Sequence, residues 1–422
     1  MSEQTKEKPA DDGLVRSMLT DESIELMRRR MGYPNPTVRT GFTDEPWNTI
    51  ATADAMRRFS YCIGDNNPLY CDPEYAKNTR WGQTIAPPAF EKSMGIMGNA
   101  IMADPEEDKE TSKALRGVQL FHSGGENFYW APITEGVKLW RSRYVKQVDV
   151  KESEYAGRSA IVTNGLCMWD ENDKVYVDGV DWFVHAERKK RTDSSKDKYA
   201  KEEPAFYTDE EMKEIEDCYD NEYRRGADTL YYEDVEVGAS LPKMVKGPFQ
   251  ITDLINMHMG TGWILYGCWP NRLAYEGRKK LRGFYTKDEF NAWDSLQRVH
   301  WDKDLAEKVG VKMMYDIGAV RQFHVSNYLT NYAGDDAFIH RIKFEFRRFN
   351  YTGDVTWMTG EIVDKRIDEK LGPVIEVVLR GTNQRGSDNI NATSTIMVAS
   401  REHGPVKLPE PPAPTPHRRK TP

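Results

Sequence analysis

The chain has 422 residues, too many for one ordinary core, so it calls for two domains or one doubled domain. Its 59 basic and 67 acidic side chains leave a net charge of −8, which argues against a nucleic acid or an anionic membrane as partner, though not against a local basic pocket. With no run of 18 apolar residues, no signal-peptide layout at the N-terminus and five scattered cysteines without metal-ligand spacing, the expectation is a cytoplasmic chain with free thiols and no metal.

Residues 1–18 are polar and expected to be disordered. A first domain is expected over 19–188. Thr52 precedes ADAMRRFSYCIG, whose Met56, Phe59 and Ile63 fall on one face, so the pattern predicts a capped amphipathic helix. The loop GDNNPLYCDPEYA (Gly64–Ala76) comes next, then a second, more apolar helix over APPAFEKSMGIMGNAIM. Alternating runs in GVKLWRSRYVKQVDV, SAIVTNGLCMW and KVYVDGVDWFVH predict strands with one buried face. Residues 189–229 read as a linker containing a helix that Thr208 and Glu211 start as a capping box.

The plan then recurs over 230–402. Thr252 precedes DLINMHMG, the loop VHWDKDLAEKVG follows, and DIGAVRQFHVSNYLTNYAG predicts the apolar helix. Strand-like runs close the domain in IKFEFRRF, VTWMTGEIVDKR, VIEVVLRGTNQ and STIMVAS. Residues 403–422 are proline-rich and expected to be disordered. A central helix wrapped by a curled antiparallel sheet is the hot dog arrangement, and two copies make an α+β double hot dog. Pattern alone leaves two unrelated α+β domains as the competing reading.

Two loops carry the chemistry. GDNNPLYCDPEYA is close to the hydratase motif G-D-x-N-P-x-H-x-D-P-x-x-A, with Tyr70 in place of the histidine. In the second loop His300 is followed by Asp302 at +2, Ala306 at +6, Gly310 at +10 and Gly318 at +18. On these residues, and on APPAF, YYEDVEVGASLP and FNYTGDVTW, the chain resembles the MaoC-like, (R)-specific enoyl-CoA hydratase superfamily, in the two-domain form whose N-terminal half is a FAS1-like dehydratase domain. The resemblance implies reversible addition of water across C2–C3 of an acyl-CoA or acyl-carrier thioester, without metal or redox cofactor. It implies His300 as acid/base and the Gly318 N–H as oxyanion donor, since unpaired amides at a helix start stabilise developing negative charge. Asp302 would orient or pin the turn.

The first copy departs from the motif twice, because the residue 18 beyond Tyr70 is Pro88, which has no N–H. Asp65, Asn67, Tyr70 and Pro88 therefore read as a degenerate site, in which the polar residues cap and pin the loop. The second copy departs once. The family's aspartate precedes the histidine by five residues, where Ser295 stands, so Asp294 is the nearest carboxylate. An aromatic-rich insertion over 260–298 enters at this point and reads equally as a pocket wall or a self-packed surface unit. Tyr315, Arg321, His324 and Trp263 are the candidates for lining the substrate groove, with a packed helix histidine the competing reading for His324. His122 reads as a strand residue, and His258 has no partner at ligand spacing. Thioester hydrolysis and a non-catalytic acyl-CoA-binding subunit remain as alternative functions. By analogy a homo-oligomer, a dimer, is expected, with a hetero-partner subunit as the other arrangement.

Overall fold

Helix-start signals act locally along the whole chain. The structure, a computed structural model, describes residues 14–36, 48–96, 101, 103–153, 157–188, 202–262 and 269–413. Helix α1 (Asp21–Arg28) starts at Thr20, and α2 (Ala53–Cys62) starts at Thr52, whose side chain accepts the Ala55 N–H. Two short helices, α3 (Pro68–Cys71) and α4 (Pro73–Ala76), open on prolines and are capped by Asn67 and Asp72. Helix α5 (Pro105–Thr111) leads into β1 (Gln119–Tyr129), β2 (Trp140–Ser153), β3 (Gly157–Trp169) and β4 (Val175–Ala186).

Helix α6 (Asp209–Asp220) carries the reciprocal Thr208–Glu211 capping box. After β5 (Ser240–Lys246), α7 (Ile251–Thr261) starts at Gln250 rather than at Thr252, because the Asp253 carboxylate accepts the Gln250 N–H at 2.7 Å. The insertion holds α8 (Asn271–Lys280) and a hairpin of β6 (Tyr285–Lys287) and β7 (Trp293–Ser295). Helices α9 (Lys303–Lys308) and α10 (Ala319–Ala333) precede β8 (Phe338–Glu345), β9 (Thr356–Asp368), β10 (Gly372–Asn383) and β11 (Asp388–Met397).

Nine strands form one sheet in the order β2-β3-β4-β1-β8-β11-β10-β9-β5. The half β2-β3-β4-β1 is answered by β9-β10-β11-β8, and the halves join where Gly124–Phe128 pairs antiparallel with Arg341–Glu345. This is the double hot dog, with the two copies as halves of one sheet. Helix α10, 15 residues long and buried over almost its full length, packs against β8, β11 and β5. Phe59 of α2 packs edge-on against Phe90 (5.4 Å) and Phe323 of α10 (5.2 Å), so one continuous core spans both copies.

The first copy's central helix, expected over APPAFEKSMGIMGNAIM, is reduced to a single 3₁₀ turn, Phe90–Ser93. Pro87 and Pro88 contribute no N–H, Ala89 takes a left-handed φ of 79°, and Gly95 turns the chain with φ 104°. The chain then leaves for the sheet, where Ile96 bridges to Trp140. Residues 97–100 and 102 of this stretch lie outside the described residues.

The ends also differ from expectation where they are described. Leu14 is buried in one apolar cluster with Leu296, Val299 and Tyr315, and Val406 is buried with its carbonyl accepting from Arg80. Apolar side chains pin these segments despite their polar neighbours. No described helix is long and apolar enough to cross a membrane.

Gly179 lies in β4 between β1 and β3, and a Cβ there would sit 2.1 Å from the Glu126 carbonyl oxygen. Gly179→Ala is expected to cost about 2–3 kcal/mol, read as a lower urea midpoint at unchanged slope. An unchanged midpoint would mean that the strands can separate there without penalty.

Candidate functional site

The two loops fold alike, and the likeness aligns them residue by residue. The Asp65 carboxylate accepts the Asn67 N–H at 2.9 Å, and the Ser295 hydroxyl accepts the Gln297 N–H at 3.2 Å. Asp72 caps α4, and Asp302 caps α9 by accepting the Leu305 N–H at 3.0 Å. Ala76 and Ala306 are both fully buried. Ser295 therefore occupies the aspartate's position, and His300 that of Tyr70.

His300 is buried, 9% exposed. Its Nδ1 lies 2.7 Å from the Tyr315 carbonyl oxygen. A carbonyl only accepts, so Nδ1 carries the proton and Nε2 keeps a lone pair. Burial pushes the imidazole down to about 4, the Tyr315 bond opposing and His258 adding to the shift. The ring is thus a neutral base with a fixed tautomer. Asp294, the nearest carboxylate in sequence, accepts the Ser295 N–H at 2.7 Å, and Asp302 binds Arg298 at 2.6 Å while capping α9.

Gly318 caps α10, where the first amides have no intrahelical partner. Its φ of −52° suits any residue, so its requirement for glycine is steric. A Cβ would lie 2.8 Å from Nδ1 of His122, which a bulge in β1 turns onto the helix start from the other copy. His122 stacks on Phe183 at 5.0 Å, and burial pushes its imidazole down to about 3. The same helix start is braced by Arg321, which binds Asp316 through two bonds of 2.8 and 3.1 Å and donates to the Arg348 and Asn389 carbonyls. Arg321 is a buried brace, with its guanidinium committed to protein partners.

Tyr315 is also buried, packing edge-on against His300 at 4.7 Å, so it supports the base from behind. His324 is half-buried a turn further along α10, its imidazole pushed down to about 3 by burial, with Lys246 and Arg321 adding. Trp263 lies outside the described residues. In the insertion, Tyr275 and Phe290 face solvent, and Arg278 stacks between Tyr275 and Trp293, which favours a self-packed surface unit over a pocket wall.

In the first copy, Tyr70 and Pro88 line one cavity of about 60 Å³, closed by Thr330 and Ala333 of α10. Burial raises the Tyr70 phenol well above its ordinary range, and the nearby Asp65 adds to this, which disqualifies Tyr70 as a base. Asp65 is itself buried, and burial raises its carboxyl despite Arg224 and Lys246. Glu91, three residues beyond Pro88, turns into this cavity and accepts from the Tyr129 hydroxyl at 3.4 Å. Sequence reasoning missed Glu91 and the contact of His122 with Gly318. Neither carries a motif, because both follow from the first copy's lost helix and from the seam between copies.

Residues 39–178 match the FAS1-like, dehydratase domain region. A UPF0336 protein of Thermobifida fusca is 42% identical over 79 residues, 18% of this chain and 50% of its own. One from Streptomyces avermitilis is 31% identical over 87 residues, 20% and 54% of the two chains. The chain thus spans about half the length of the curated relatives it matches. Among solved structures, a MaoC-like dehydratase superposes with a TM-score of 0.55 at 15% identity, over 86% of this chain and 100% of its own. A conserved hypothetical protein of Mycobacterium tuberculosis described as a double hot dog gives 0.44 at 10% identity, over 87% and 98%.

The contact of Gly318 with His122 can be measured by a double-mutant cycle. Gly318→Ala is expected to destabilise by about 1–3 kcal/mol in the parent and by clearly less in a His122→Ala background, giving a coupling of about 1 kcal/mol or more. Equal costs in both backgrounds would place the steric limit elsewhere.

Proposed function

We propose that the chain is a hydro-lyase that adds water to, or removes it from, the C2–C3 bond of an acyl thioester at the start of α10. One observation carries this reading. The bond from His300 to the Tyr315 carbonyl leaves Nε2 as a buried neutral base within the segment that ends in the capping Gly318. The fold and the match of residues 39–178 to a dehydratase domain region support it.

In the hydration direction, Nε2 of His300 takes a proton from water as the oxygen attacks C3. The electron pair moves through C2 toward the thioester oxygen, where the Gly318 N–H offsets the developing charge. The imidazolium then returns its proton to C2. A single imidazole can serve both transfers, which suits a site whose aspartate position holds Ser295. That serine also favours a second reading, an acyl-CoA-binding subunit that turns over only with a catalytic partner.

His300→Ala is expected to lower kcat on crotonyl-CoA by a factor of about 10²–10⁴. The base is needed neutral and burial holds it so, hence kcat/KM should stay level as pH falls from 7 and halve near the value of about 4. Loss of absorbance at the double bond without thiol release separates hydration from thioester hydrolysis. Activity of His300→Ala within threefold of the parent, or an acid limb at the ordinary histidine value of about 6.5, would contradict the assignment. No turnover by the parent alone, restored by a second chain, would favour the binding subunit.

A further inference from the structure

The peptide joining Tyr315 to Asp316 is held from both sides. Its carbonyl meets Nδ1 of His300 at 2.7 Å, and its N–H donates to the Asn350 carbonyl at 2.9 Å. A trans peptide is planar and its C=O and N–H point opposite ways, so fixing one end aims the other. Tyr315 also bridges to Tyr351, and the Thr352 N–H donates to the Met314 carbonyl at 3.0 Å. Residues 314–316 thus run as a short ribbon along 350–352, and the FNYTGD stretch sets the direction of the carbonyl that orients the base.

Between that peptide and Gly318 sits a buried ion pair. The Asp316 carboxylate receives Nε of Arg321 at 2.8 Å and Nη2 at 3.1 Å, one bond to each oxygen. Arg321 stands on α10, three residues beyond Gly318, so the pair closes a ring over the helix start. Its Nη1 donates to the Arg348 and Asn389 carbonyls at 2.8 and 3.1 Å, and the guanidinium lies over Phe346 at 4.2 Å. Arg321 is 4% exposed and Asp316 1%. Apolar side chains of similar size often serve a fold as well as a buried ion pair does, because desolvation offsets the attraction. A forked, planar cation with four fixed partners contributes direction instead.

We infer that Arg321 is a positioning residue of the His300 site: through Asp316 it holds the Tyr315 carbonyl on Nδ1 of His300 and the Gly318 N–H in one fixed relation. The effect on rate rests on the hydro-lyase reading, while the effect on the imidazole rests on the contacts alone. With the clamp closed, Nδ1 keeps the proton and Nε2 the lone pair that takes a proton from water. With the clamp loosened, the 315–316 peptide turns, the Nδ1–H loses its acceptor, and the proton spreads over both nitrogens. The Gly318 N–H shifts with the same segment. A displacement of about 1 Å at a reacting site costs on the order of 10²-fold in rate.

The test uses Arg321→Lys and the double variant Arg321→Met/Asp316→Asn in the full chain, beside the parent and His300→Ala. Lysine keeps the charge but cannot serve two carboxylate oxygens and two carbonyls in one plane, and the double variant strands no buried charge. On crotonyl-CoA, Arg321→Lys is expected to lower kcat by about 10–10²-fold with KM within about threefold. Nitrogen NMR on isotope-labelled histidine, with the His300 signals identified by their loss in His300→Ala, reads the tautomer directly. The parent should show Nδ1 as N–H and Nε2 as a lone pair, and both variants should draw the two signals toward each other. The inference is overturned if the signals stay at the parent positions, whatever happens to kcat. A raised KM at unchanged kcat also overturns it and returns Arg321 to substrate binding. If His300→Ala is as active as the parent, the hydro-lyase reading falls, and the signals still decide the inference. Should Arg321→Lys not fold, the double variant decides by the same signals.

Discussion

The pairing of β1 with β8 is the constraint from which the rest of the molecule follows. An unpaired edge in either half-sheet would expose a row of backbone donors and acceptors, and joining the halves removes two such edges at once. Strand β1 meets this demand with Gly124 and Gly125, whose missing side chains leave room for Trp182 and for Phe344 of the facing strand. Once the sheet is continuous, α10 packs against β8, β11 and β5 of its second half. The first copy's helix has correspondingly shrunk to a turn, and Ser326 of α10 donates to the Pro88 carbonyl at 2.7 Å where that helix would begin.

This arrangement accounts for the division of labour between the loops. The first copy keeps Asp65 and Asn67 but has lost the imidazole and the helix-start amide. The second keeps His300 and Gly318 but has lost the aspartate. The first loop lies against the far half of α10, with Asp65 near Asn327 and Tyr70 near Thr330. Twelve residues separate Thr330 from Gly318, on the order of 18 Å along a helix. Asp65 therefore serves the first loop and does not stand in for Ser295.

Much of the fold was legible in the sequence because the determining signals are local. Thr52, Thr208 and Asp302 cap the helices that follow them, and the alternating runs become strands. The offsets from His300 to Asp302, Ala306 and Gly318 place a cap, a buried alanine and a helix start at their expected positions. APPAFEKSMGIMGNAIM has helical composition, yet among its described residues the Pro-Pro start, the left-handed Ala89 and the turn at Gly95 leave only one 3₁₀ turn. The other failures have non-local causes. Arg321, a candidate for lining the substrate groove, is bound as a brace, because only the fold brings Asp316 and two backbone carbonyls to it. His122 reaches the start of α10 from a strand far away in sequence, so no spacing rule could find it.

The central claim is that an acyl thioester is held at the start of α10, between His300 and Gly318, and not at the first copy's Tyr70 cavity. A crystal structure with a non-reactive thioether or ketone analogue of a trans-2-enoyl-CoA tests it most directly. The account predicts the carbonyl oxygen within about 3 Å of the Gly318 nitrogen and C3 facing Nε2 of His300. An analogue whose carbonyl sits beside Tyr70 and Glu91, with the α10 start empty, would contradict it.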